Sequence, residues 1–63
     1  MTGDALKTNG VESDIPMETP VSELIGRPLR AYRTGDILAD DFVAERVNIE
    51  TSAEGKIVRL WRG

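Results

Sequence analysis

Two adjacent carboxylates, Asp40 and Asp41, and an arginine five residues further on, Arg46, are the residues whose types and spacing suggest chemistry. A carboxylate pair can hold a divalent cation, or split acid and base roles between its members. Either task needs a partner, and neither a third ligand nor a histidine accompanies the pair, so a solvated acidic turn is the plainer reading. The chain has no histidine and no cysteine. That excludes imidazole acid–base catalysis, thiol chemistry, disulfides and most zinc sites. With no nucleophile–base pair in view, neither an enzyme nor a cofactor or metal site is expected. Arg46 adds a different possibility: it can brace the acidic loop from below, or form an exposed ion pair worth under about 1 kcal/mol. Gly35-Asp36 reads as a turn, not a phosphate loop, because no lysine or glycine-rich pattern follows.

The elements that must position these residues are short. Ser22 or Thr19 can cap a helical turn over Val21–Ile25, with Glu23 in its first turn and Gly26 ending it. Pro28 forces an extended backbone on Arg27, and Leu29 to Arg33 alternates weakly, as a first strand. Ile37 to Glu45 has neither a helical nor a strand period and reads as an extended loop. From Arg46 the alternation is clear, with Val47, Ile49 and Thr51 on one face and Arg46, Asn48 and Glu50 on the other. Ser52 to Gly55 is a hairpin turn, and Lys56 to Trp61 the return strand. That strand is apolar on both faces: Ile57, Arg59 and Trp61 on one, Val58 and Leu60 on the other. Trp61 reads as a packing or interface residue.

At 63 residues the chain holds at most one small domain. Asp4, Glu12, Asp14 and Glu18 oppose only Lys7 in residues 1–20, while residues 21–63 carry seven basic and seven acidic side chains; the whole net charge of −3 sits on the first segment. Residues 1–20 therefore read as a disordered acidic tail, and residues 21–63 as the folded domain. No basic surface exists for a phosphate backbone, so no nucleic acid is expected. No run of about 18 apolar residues suggests a membrane span. The start lacks a signal-peptide pattern, which gives a cytoplasmic expectation, or a secreted or periplasmic one if the chain is a processed product. A domain this small without staples depends on its core or on a second subunit.

Three clusters carry a resemblance. Arg33-Thr34-Gly35-Asp36, Asp41-Phe42 and Arg46-Val47-Asn48-Ile49 resemble the R-P-G-D, T-x-D-[YF] and R-[LV]-N-[VI] signature of a family of small peptidase inhibitors. That family includes bacterial members and a fungal elastase inhibitor, and is related to eglin c and potato inhibitor I. Leu24-Ile25-Gly26-Arg27-Pro28 is similar to its opening L-I-G-x-P, and Gly55 to Gly63 to its closing G-x-I-x-x-V-x-C-G.

The resemblance implies an α+β, mostly β fold: a potato-inhibitor-I-like small sheet with an exposed binding loop, a C-terminal β-hairpin and a helix that is short or absent. The first two strands would run parallel, joined through the loop. It also implies a serine-type protease as partner, met by a loop that enters the cleft like a substrate. Ala39, Asp40, Asp41 and Phe42 would form the contact. Asp40 would fill the specificity pocket, which suits an acid-specific protease or a cationic pocket, and Asp41 would follow the scissile bond. Arg46 would pair with Asp41, and Asn48 would add hydrogen bonds. A loop already frozen in the bound shape loses less entropy on binding, and after any cleavage its ends stay together, so religation competes with hydrolysis. The chain departs from the family pattern at Ala39, where threonine is usual, and in lacking both cysteines and the helix between Pro28 and the first strand. The alternative is a non-inhibitory oligomeric module that reuses the scaffold, with a homodimer formed through the bared sheet face.

Overall fold

Proline and glycine set the strand boundaries in this chain, and a single mixed sheet results. The computed structural model describes residues 12–63. Its elements are β1 (Ser13–Asp14), a 3-10 turn (Val21–Glu23), β2 (Leu29–Arg33), β3 (Val47–Thr51) and β4 (Ile57–Arg62). The sheet order is β1-β4-β3-β2. β2 and β3 run parallel, with Arg30 opposite Asn48 and Tyr32 opposite Glu50. β3 and β4 form an antiparallel hairpin, and β1 adds antiparallel to the outer edge of β4. The Pro28 carbonyl accepts the Val47 N–H at 2.8 Å and so starts the parallel ladder one residue ahead of β2. Gly35 and Gly55, with φ of 94° and 87°, take the left-handed conformation that their turns require. The fold is thus small and mostly β, and the helical part of the α+β expectation amounts to one 3-10 turn among the described residues.

Three local features differ from the sequence reading. The turn at Val21 has Pro20 at its N-terminal cap and no side-chain cap from Ser22 or Thr19; the fixed φ of proline opens the turn without a side-chain acceptor. In β4 the register slips by one residue, so that Glu50 faces Arg59 and Thr51 faces Ile57. This bulge absorbs Val58 and moves Ile57 opposite Thr51, away from the face of Arg59 and Trp61. Finally, residues ahead of Val21 take part in the sheet. Ser13–Asp14 pairs with β4, the Ile15 N–H donates to the Leu60 carbonyl at 3.1 Å, and Ile15 is buried. Asp14 accepts from Arg59 Nε at 3.0 Å and Ser13 Oγ from Arg62. Residues 1–11 of the expected tail lie outside the described residues.

The two faces of the sheet are unequal in an unexpected way. Along β2 the polar side chains Arg30 and Tyr32 are half-buried, while Leu29, Ala31 and Arg33 are exposed. The better-covered face therefore carries Arg30, Tyr32, Asn48 and Trp61. Trp61 is 3% exposed, because Arg59 and Arg30 lie over its ring at 4.9 and 5.9 Å and Tyr32 meets it edge-on at 6.5 Å. Its indole N–H donates to Tyr32 Oη at 3.0 Å. The opposite face is the apolar one. There Val47 is buried, but Leu29, Ile57, Val21 and Ile25 remain largely open.

Candidate functional site

The thirteen residues between β2 and β3 make the crossover that a parallel pair requires, and the middle of that crossover forms an exposed loop. Residues 37–45 carry no regular structure. Ile37 is 98% exposed, and Phe42 and Val43 are also open. The loop bends at Asp40, where the Asp41 N–H donates back to the Ala39 carbonyl at 3.0 Å, a three-residue turn. The next bend, closed by the Arg46 N–H on the Val43 carbonyl, delivers the chain into β3.

Two arginines hold this bend, one in β2 and one just ahead of β3. Arg46, just ahead of β3, donates through Nη2 to Asp41 Oδ1 at 3.0 Å and to the Asp41 carbonyl at 3.3 Å, and through Nη1 to Asp41 Oδ2 at 3.3 Å. Arg30, from β2, donates through Nη1 to Asp41 Oδ1 at 3.2 Å and to the Ala39 carbonyl at 3.5 Å. The carbonyls on either side of Asp40 are thus both engaged, while the Asp40 side chain makes no hydrogen bond or ion pair among the described residues. A guanidinium suits this work because its planar fork can serve two acceptors at once.

The supports close on themselves. Arg30 Nε donates to Asn48 Oδ1 at 2.8 Å. The Asn48 amide donates to the Gly63 carbonyl at 3.0 Å and the Trp61 carbonyl at 3.4 Å. Arg46 Nε donates to that same Gly63 carbonyl at 2.7 Å. The path Asp41–Arg46–Gly63–Asn48–Arg30–Asp41 is therefore a ring of hydrogen bonds linking the loop to β2, β3 and the end of β4. Asn48 is 0% exposed, and the ring fixes which way its amide points: oxygen to the arginine, nitrogen to the carbonyls. Gly63 fits here because a Cβ would lie 3.0 Å from both Trp61 and Glu12 side-chain atoms.

Electrostatics follow from this geometry. The Arg46 hydrogen bonds hold the Asp41 carboxyl below its ordinary value of 3.8; partial desolvation opposes them, and the charges of Arg46 and Arg30 add to the lowering. Asp41 is therefore a paired carboxylate. Among the described residues no three acidic side chains converge so as to hold a metal ion.

Of the residues singled out from the sequence, Asp41 and Arg46 are in direct contact. Ala39 meets the network through its carbonyl, Asp40 and Phe42 are exposed and outside it, and Asn48 reaches the loop through Arg30 and, by way of the Gly63 carbonyl, through Arg46. Sequence reasoning missed Arg30. The signal was the pairing of Arg30 with Asn48, which follows once β2 and β3 are taken as parallel and in register.

A family model described as the peptidase inhibitor I78 family matches residues 19–63. The chain belongs to this family. The match runs from just before the 3-10 turn through β4 and takes in the loop and all the members of its ring. β1 and Ile15 precede it. Membership in the I78 family points to a peptidase as partner and to a binding protein. No curated protein and no solved structure matched the chain.

Proposed function

We propose that this I78 family member inhibits a serine-type peptidase by presenting Ala39, Asp40, Asp41 and Phe42 as a rigid, substrate-like loop. The observation that carries the reading is the closed ring through Asp41, Arg46, Gly63, Asn48 and Arg30, which engages both carbonyls flanking Asp40 and leaves the outer side of the loop free. A loop held this way has already lost the conformational entropy that a flexible peptide would lose on binding, and it can add backbone hydrogen bonds to a cleft in strand fashion. The parallel β2–β3 pair joined through the loop also supports the eglin-like arrangement. The test is a titration of the purified protein against subtilisin, elastase, chymotrypsin and a Glu/Asp-specific serine protease. Stoichiometric inhibition of one member, weakened at least about tenfold by Arg46→Ala, is the expected result. A folded, uncleaved chain that inhibits none of them at micromolar concentration would sink the proposal.

One observation favours a second reading, a module that pairs with another copy of itself. Leu29 and Ile57 on the apolar sheet face, and Val21 and Ile25 in the adjoining turn segment, are exposed, and residues 21–63 have no net charge, so charge does not oppose bringing two such faces together.

A further inference from the structure

We infer that Asp40 chooses the partner, and that the peptidase fitted by this loop has a cationic pocket, as in proteases that cleave after acidic residues. The inference rests on the loop being the contact surface and goes further by naming the chemistry opposite it. Of the two carboxylates at the bend, only Asp40 has charge to offer. Asp41 is paired with Arg46 at 3.0 Å and Arg30 at 3.2 Å, while Asp40 makes no ion pair or hydrogen bond among the described residues. Arg30 on the Ala39 carbonyl and Arg46 on the Asp41 carbonyl fix the backbone on both sides, so the Asp40 side chain is the one held out.

An apolar pocket would strip water from this carboxylate and return nothing, which disfavours binding strongly. A pocket lined by arginine or lysine returns a charge-assisted hydrogen bond. Ile37, Phe42 and Val43 are exposed apolar residues that flank the charge on both sides, while Glu45, the acidic residue at the loop's far end, is ion-paired with Arg27 at 3.6 Å. The complementary cleft is therefore one basic pocket between apolar subsites.

Asp40 variants decide the matter, and because the side chain makes no hydrogen bond or ion pair among the described residues the ring stays in place in each of them. Wild-type protein is expected to inhibit a Glu/Asp-specific serine protease at least roughly 100-fold more tightly than subtilisin or elastase. Asp40→Asn should weaken that inhibition roughly 30-fold or more, the effect of leaving a buried cation unpaired. Asp40→Leu should transfer inhibition to subtilisin or elastase. If Asp40→Asn inhibits as well as wild type while Arg46→Ala does not, the inference is overturned and the loop reading survives. Equal wild-type inhibition of acid-specific and apolar-pocket proteases overturns it in the same way. If neither wild type nor the Asn and Leu variants inhibit any protease, both readings fall together.

Discussion

Asn48 spends its acceptor on Arg30 and its donors on the Trp61 and Gly63 carbonyls, and no other side chain of its size offers one acceptor and two donors at that spot. Asn48→Leu would take the acceptor from the Arg30 Nε–H and a side-chain donor from the Trp61 and Gly63 carbonyls, the latter keeping Arg46, so a loss of about 1–3 kcal/mol in urea unfolding is expected. Asn48→Asp should fail too, since a carboxylate can take the Arg30 bond but cannot donate to either carbonyl. A variant as stable as wild type would show that the ring contributes nothing. Asp41 adds a pH dependence with a definite sign. Its carboxyl titrates lower in the folded chain than its ordinary value, so its contribution is complete above about pH 4 and is lost as the pH falls through the folded value. Unfolding free energy measured from neutral pH downwards should show an acid-side fall, and Asp41→Asn should remove part of it. Identical acid profiles for the two proteins would remove Asp41 from the account.

The turns and loop differ in how they can be perturbed. Gly35 has a φ of 94° and open space where a Cβ would stand, so Gly35→Ala tests backbone strain alone. A loss of about 1–2 kcal/mol is expected, with Gly35→Asn milder because asparagine tolerates this conformation. Equal stability of all three would place the turn in another conformation. The elements visible in the sequence are those with local causes: Pro28 and Gly35 bracket β2, Gly55 makes the hairpin, and the alternation of Val47, Asn48 and Ile49 marks β3. What stayed hidden depends on distant partners. The bulge leaves no compositional mark, because Val58 is one apolar residue in an apolar run. Ile15 sits among acidic and proline neighbours like a tail residue, and only the pairing of Ser13–Asp14 with β4 buries it. In the site, the Asp41–Arg46 contact was legible through the family resemblance, whose motifs include both residues. Arg30 lies eleven residues before Asp41 on another strand, and nothing local announces it.

Among the described residues, the sheet's polar side carries the loop and its ring, while Leu29 and Ile57 of its apolar side stay exposed. Such a surface is stable on its own only to the extent that Val47, Ile15 and Trp61 hold it, since these are the buried apolar side chains among the described residues. Sizing at two concentrations well apart, together with thermal unfolding at both, should show association and a melting temperature that rises with concentration. Leu29→Glu should abolish both effects without weakening inhibition. Concentration-independent behaviour of the wild type would leave the face unpaired in solution. The parallel pairing of β2 with β3 reaches beyond stability. No hairpin can nucleate that pair; its ends meet only after the intervening thirteen-residue crossover closes, so the parallel ladder forms late and sets the pace of folding. The segment proposed to meet a partner is thus also the tether whose closure limits the folding rate. Lengthening it to reach a deeper cleft would slow folding even where every strand contact in the finished sheet stayed the same.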